Sequence, residues 1–345
     1  MAKRRRGWVA GGVALGVGAA VAATVAAEKA WVKRDRARAD AFGDEPYGLL
    51  AGKPLGPLAS FDGTKLHVEE IGTGPTVLMV HGFSLALTSW HHQMKDLSAH
   101  ARMVLYDQRG HGRSGMPPED GWSLDALARD LDVVVRGCAR DEHVVLVGHS
   151  MGGMTLLRYA QLFPDEMAKR VRGLVLIDTT SADVMGGMLP GFARRIEATM
   201  QGLQEAAMRA LAGRGDHVDR LRHRAPDLQY LGTRVMGFAP RPSPRQVDFV
   251  HELLAETPTE TWLNLIPAMA ALDVTEVVAS LEVPVLVMVG MHDRLTPPHA
   301  AQRIARVLPD GNLVVLPGAG HMPMLEQHEQ VTDHLRRFIS RVIPS

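Results

Sequence analysis

The chain has 345 residues, of which 46 % are hydrophobic and 22 % charged, and its 38 Lys and Arg are matched by 38 Asp and Glu. That is enough apolar chain for one large globular domain with an insertion, and the zero net charge gives no general reason to bind nucleic acid. A single cysteine, Cys138, excludes an internal disulfide and a cysteine-built metal centre.

At the N-terminus Lys3-Arg4-Arg5-Arg6 precede Gly7 to Ala27, a charge-free stretch. A bilayer span needs roughly 20 such residues, so residues 1–27 are expected to anchor the protein to a membrane. Two other readings compete. Arg5-Arg6-Gly7-Trp8-Val9 loosely resembles a twin-arginine export signal, with Val25-Ala26-Ala27 as a tolerable cleavage site; the alternative is an Ala-rich helix with no membrane role. Orientation is not given, because Lys29, Lys33, Arg34, Arg36 and Arg38 follow the segment as basic residues precede it. Residues 28–54, charged and then Gly- and Pro-containing, read as a linker.

From residue 55 the pattern changes to apolar runs alternating with helix-compatible stretches. Thr76 to Val80 and Met103 to Tyr106 read as strands, each followed by a glycine-containing loop, His81-Gly82-Phe83 and Asp107 to Gly115. The second loop is basic, but a structural role suits it better than anion binding. His91 and His92 are adjacent rather than at helical spacing, so a helix-surface position is expected and a shared metal is not. A helix from Ser123 to Cys138 makes Cys138 a packing residue.

The strand Val144 to Val147 leads directly into Gly148-His149-Ser150-Met151-Gly152, and Met154 to Ala160 is helix-compatible. A G-x-S-x-G between a strand and a helix is a nucleophile elbow, which presents the Ser150 hydroxyl at the tip of a tight turn. Glycine suits both flanks because a side chain at 148 or 152 would strike the neighbouring strand or helix. A further strand, Gly173 to Ile177, ends at Asp178. Between residues 181 and 280 no strand-like run occurs. Ile196, Met200, Leu203, Ala207 and Leu211 recur at helical spacing, with breaks at Gly213 to Asp216 and Pro240 to Pro244, so 181–280 reads as an inserted helical cap. Its Met185, Met188, Met200, Met208 and Met236 either pack the cap helices or face an apolar ligand.

Strand character returns at Pro284 to Gly290, with Asp293 just past its end, and at Asn312 to Leu316, after which Pro317-Gly318-Ala319-Gly320 delivers His321 before a helix beginning near Met324. Serine needs an imidazole to take its proton, and the imidazole needs a carboxylate to fix its tautomer and stabilise its charged form. Ser150, His321 and Asp293 fill these roles, with Asp178 as the alternative acid. The alternation of strands and helices argues for an α/β fold with a mostly parallel sheet covered on both faces.

Through His81-Gly82-Phe83, Gly148 to Gly152, Gly290 to Arg294 and Gly320-His321, the chain resembles the α/β-hydrolase superfamily from about Leu55 to its C-terminus. The resemblance implies a hydrolase core over 55–180 and 281–345, with the cap roofing the nucleophile. It also implies an oxyanion hole made by the backbone N–H groups of Phe83 and Met151. The activity it implies is hydrolysis of an apolar carboxylic ester through an acyl-enzyme. Perhydrolase, haloperoxidase-like and C–C hydrolase activities use the same three residues, and a non-catalytic binding protein on this scaffold is disfavoured because all three are present. An epoxide hydrolase or haloalkane dehalogenase of this fold is expected to carry Asp where Ser150 stands. With neither a dinucleotide fingerprint nor a phosphate loop, no cofactor is expected. The partners expected are a small apolar ester and, through residues 7–27, a membrane.

Overall fold

A computed structural model describes residues 26–138, 143–184, 226–309 and 312–343. Its sheet is built from β1 (Lys53–Pro54), β4 (Val68–Ile71), β5 (Thr76–Val80), β6 (Arg102–Tyr106), β7 (Val144–His149), β8 (Val171–Ile177), β9 (Val285–Gly290) and β10 (Asn312–Leu316), in the order β1-β4-β6-β5-β7-β8-β9-β10. The short strands β2 (Leu58–Ala59) and β3 (Lys65–Leu66) pair separately. From β6 to β10 every pairing is parallel; β4 joins β6, and β1 joins β4, antiparallel.

The central strands are covered on both faces, which is why they read as unbroken apolar runs. Alternate residues feed two cores. Leu78, Val80 and Leu146 pack with the helices Leu124–Cys138 and Met151–Leu162, while Val77, Met79, Val145 and Val147 pack with His91–Leu97 and His328–Val342. Cys138 is buried in the first core.

Chain order reverses at β5, which has β6 on one side and β7 on the other. In open α/β sheets the crevice beyond the strand C-termini at such a switch point is where ligands bind. Ser150 leaves β7 at this place.

Between β8 and β9 the helices Pro226–Gly237, Pro244–Glu256, Thr259–Ala270 and Thr275–Ala279 form a helical insertion, the cap. Ser243 caps the second of these, its hydroxyl accepting from the Gln246 N–H, so the break lies where Pro240 to Pro244 placed it. The base of the insertion is pinned. Ala182 bridges Asp273, and the Val274 N–H donates to the Ser181 carbonyl at 2.8 Å. Tyr230, Phe238 and Val247 enter one core and Leu265 and Met269 the other, so these helices share the body's packing. Met236 is half-buried; Met185, Met188, Met200, Met208 and the Gly213 to Asp216 break lie outside the described residues.

The stretch 28–54 carries fixed contacts of its own. Residues 26–36 are helical, Val32 and Tyr47 are buried, and Asp35 accepts from the Tyr230 hydroxyl and the Arg234 guanidinium, each at 3.0 Å. Asp40 accepts from the Ser243 hydroxyl at 2.7 Å, and Tyr47 stacks on Phe249 at 4.9 Å. Charges followed by Gly and Pro read as a linker; Asp35, Asp40 and Tyr47 of this stretch are held on the cap helices.

Candidate active site

Ser150 has φ 52° and ψ −118°, a conformation that costs a non-glycine residue about 1–3 kcal/mol and must be imposed by its surroundings. Several contacts impose it. The Ser150 N–H donates to the Ile177 carbonyl of β8 at 2.9 Å, and the Ser150 carbonyl accepts from the Thr179 hydroxyl at 2.7 Å. A Cβ on Gly152 would lie 2.2 Å from the Val80 carbonyl oxygen of β5, and one on Gly148 would lie 2.7 Å from the backbone of Gly152 and Gly153. The helix can start this close to the sheet only with glycine at both positions.

His321 arrives from the turn after β10 and points its Nε2 at Ser150 Oγ, 3.0 Å away, while its Nδ1 lies 2.9 Å from Asp293 Oδ2. Since a carboxylate can only accept, Nδ1 carries the ring proton and Nε2 is free to accept the serine proton. Asp293 is itself held by the N–H groups of Leu295 and Thr296 on Oδ1, at 2.8 and 3.0 Å, and by the Thr296 hydroxyl on Oδ2 at 2.7 Å. Burial works against its charge, but His321 and these donors hold the carboxyl down at about 2.

The loop after β5 lies directly beside the nucleophile. A Cβ on Gly82 would be 3.1 Å from Ser150 Cβ and 2.7 Å from His149 Nδ1. His81 fixes this loop: its Nδ1–H donates to the Gly82 carbonyl at 2.7 Å, and its Nε2 accepts the Gln108 N–H at 2.9 Å. Complete burial holds the ring neutral, lowering its pKa to about 4. Phe83 follows on this loop, and Met151 opens the helix Met151–Leu162, where first-turn N–H groups have no acceptor within the helix. Both expected donors are therefore on the segments that flank Ser150.

Residues 75–327 match the alpha/beta hydrolase fold family. The chain belongs to that family. It is 31 % identical over 260 residues to 2-(acetamidomethylene)succinate hydrolase of Mesorhizobium japonicum, covering 74 % of this chain and 84 % of the relative. A non-heme chloroperoxidase, CPO-A1 of Kitasatospora aureofaciens, is 29 % identical over 270 residues, 75 % of this chain and 90 % of that one. Among solved structures, a thermophilic esterase from Thermogutta terrifontis superposes with a TM-score of 0.67 at 27 % identity, covering 84 % of this chain and 99 % of the esterase.

In this α/β-hydrolase several residues that the motifs did not single out support the site. His149 Nε2–H donates to the His321 carbonyl at 2.7 Å, and burial lowers the pKa of that ring to about 3, so a neutral imidazole props the His321 turn from below. Glu326 accepts the Gly320 and Ala239 N–H groups, each at 2.7 Å, and the His321 N–H donates to the Gly237 carbonyl at 2.9 Å. The His321 turn is thus fastened to the end of a cap helix. Burial raises the Glu326 carboxyl to about 7 against the pull of those donors. Asp178, the alternative acid, accepts the Gly290 N–H at 2.8 Å and does not reach His321 by any direct hydrogen bond among the described residues. Burial, followed by the neighbouring Asp293 charge, raises its carboxyl well above the ordinary range.

The basic loop after β6 is structural. Arg109 is fully buried and forks onto Asp130 with two bonds of 2.6 Å, adding Asp62 at 2.8 Å. Asp107 accepts the Leu87 and Arg113 N–H groups, each at 2.8 Å. His91 and His92 are buried, which corrects the expectation of a surface position: both lie under the segment 28–54, His91 on Glu45 at 2.8 Å and His92 on the Tyr47 hydroxyl at 2.9 Å. Glu45, His91 and His92 cluster closely enough to hold a cation, but Lys95 already places its ammonium 3.0 Å from the Glu45 carboxylate. These atoms hold one another.

Proposed function

We propose that this protein is a serine hydrolase that cleaves a small apolar carboxylic ester through an acyl-enzyme. The observation that carries the reading is the placement of His321, its Nδ1 2.9 Å from Asp293 Oδ2 and its Nε2 3.0 Å from Ser150 Oγ, which requires the ring proton on Nδ1 for Nε2 to accept. Ser150 Oγ attacks the ester carbonyl carbon as His321 Nε2 takes its proton. The Phe83 and Met151 N–H groups meet the oxygen that becomes negative, aided by the helix dipole behind Met151. His321 then gives the proton to the departing alkoxide, leaving acyl-Ser150. Water repeats the sequence: it loses a proton to His321, attacks the acyl carbon and releases the acid and the Ser150 hydroxyl.

The apolar character of the substrate rests on what flanks Ser150. Phe83, on the loop whose Gly82 borders Ser150, packs edge-on against Trp262 of the cap with ring centroids 4.9 Å apart, and an aromatic pair joining that loop to the cap suits an acyl or alkyl group better than a charged one. Turnover of p-nitrophenyl esters of increasing chain length, with Ser150→Ala as control, tests this. Turnover that rises beyond the acetate and disappears in Ser150→Ala is expected. Equal rates in both proteins would contradict it.

The similarity to a chloroperoxidase supports a second reading, in which hydrogen peroxide replaces water as acyl acceptor and a peracid leaves. Peroxide-dependent halogenation of a dye in acetate buffer, lost in Ser150→Ala, would favour it.

Residues 7–27 are proposed as the membrane anchor, with export and cleavage as the alternative. Among the described residues no helix is long and apolar enough to cross a membrane, and all but the last two residues of the 7–27 stretch lie outside them.

A further inference from the structure

Two carboxyl groups are buried side by side behind His321. One oxygen each of Asp178 and Asp293 and one His321 ring nitrogen lie within 4.8 Å of one another, and both acids are buried. Among the described residues no Lys or Arg is ion-paired with either acid, and the titratable groups facing the pair include His321, Glu326 and, from β7, His149. Two like charges this close in a dry site cannot both ionise at neutral pH, so one acid keeps its proton.

The distribution of donors decides which. Asp293 receives the Leu295 and Thr296 N–H groups, the Thr296 hydroxyl and the His321 Nδ1–H. Asp178 receives the Gly290 N–H on Oδ1, and its fully buried Oδ2 has no donor. A bare buried carboxylate oxygen is costly, whereas an O–H there has Asp293 to donate to.

Resting on the reading of Ser150, His321 and Asp293 as the hydrolytic site, we propose that Asp178 is a positioning residue: its Oδ2–H donates to the Asp293 carboxylate and holds it in line with His321. The Asp178 backbone, at φ 43° just after β8, sets the side chain in that direction, and the Gly290 N–H fixes the other oxygen. Asp178 touches neither substrate nor reacting atoms. Its contribution is to keep Asp293 aimed while Asp293 alone carries the charge.

Asparagine reproduces a neutral acid in shape and donors, so Asp178→Asn is the deciding variant. It is expected to keep kcat within about threefold of wild type and to leave the acid limb of the kcat/KM profile where it was. Asp178→Ala, which removes the donor, is expected to lower kcat by about tenfold or more with little change in KM. If Asp178 were instead ionised, Asp178→Asn would remove a negative charge near the imidazolium, destabilise it and move the acid limb to lower pH. That shift, a collapse of kcat in Asp178→Asn to the level of Asp293→Asn, or full activity in Asp178→Ala would each overturn the proposal. A readout free of turnover accompanies these. The infrared difference spectrum of wild type against Asp178→Asn, taken at about pH 8, above the Glu326 value, is expected to show a carboxylic-acid C=O band belonging to Asp178. Its absence would overturn the proposal even in an active enzyme; its presence in a protein that hydrolyses no ester would place the fault in the hydrolase reading instead.

Discussion

His321 is useful to Ser150 only while its proton stays on Nδ1, and Asp293 is what keeps it there. Asp293→Asn presents an amide that can offer Nδ1 an N–H instead of a carboxylate, which favours the wrong tautomer and removes the charge opposite the imidazolium. A fall in kcat of about 10³–10⁴ is expected for the ester that the wild type turns over fastest, with a folded protein by circular dichroism. A loss smaller than tenfold would contradict the role. Ser150, Asp293 and His321 could be singled out in the sequence because they come in the order Ser, Asp, His, each soon after an apolar run, with glycines around the first and before the last. Asp178 stood out only as a competitor, since one residue past a strand end carries no sign of where its carboxyl points. His149 and Glu326 gave no signal: their work is done by hydrogen bonds to backbone groups far along the chain, His149 to the carbonyl of residue 321 and Glu326 to the N–H of residue 239.

Elements meet at this site with almost no free space, and the elbow shows it best. Gly152→Ala places a methyl carbon 2.2 Å from the Val80 carbonyl oxygen, a backbone atom fixed in the middle of the sheet. Overpacking of this kind costs about 1–3 kcal/mol even where neighbours can relax. The variant is expected to lose at least that much stability in urea unfolding and most of its ester turnover, because the helix behind Met151 must move away from β5. Wild-type stability together with wild-type activity would show that the contact is softer than this packing implies. Thr76 to Val80 coincides with β5 because a strand buried on both faces is written as a continuous apolar run, and Asn312 to Leu316 coincides with β10, an edge strand whose Leu-Val-Val-Leu run is apolar although only Leu316 is fully buried. The antiparallel edge β1–β4 was not read, because Val68–Ile71 holds two glutamates within four residues. The helix 26–36 was missed for a related reason: its many charges hide Val32 and Asp35, the residues that dock it.

For the molecule as a whole, buried histidines and buried carboxyls pull the response to acid in opposite directions. His81, His111 and His149 are fully buried and held neutral, their pKa values lowered by burial from 6.5 to about 4, 3 and 3. Unfolding frees these rings to take protons below pH 6.5, so the stability they confer is lost as pH falls from there toward their folded values. Glu326 has the opposite sign: raised from 4.5 to about 7, it favours the folded state below 4.5 and that contribution is lost as pH rises through 7. Glu326→Gln removes this opposing contribution, so its Tm is expected to fall further than that of the wild type between about pH 7 and about pH 5, and an equal change in the two proteins would contradict the account. Placement is a separate matter. Because Val32 is buried and Asp35 is fastened to the cap, a truncation should stop at residue 25; under the proposed function and anchor it is expected to leave ester turnover intact and to abolish a salt-resistant membrane association of the full chain. Full-length, unprocessed protein found wholly in the soluble fraction would contradict the anchor. The central claim, that Ser150 is an activated nucleophile, is tested most directly by treating the purified protein with a fluorophosphonate and locating the adduct by peptide mass spectrometry. One equivalent on Ser150, with loss of ester turnover in proportion to labelling, is the result expected. Full-length folded protein that takes up no label, or takes it up elsewhere while Ser150 stays free, would contradict it.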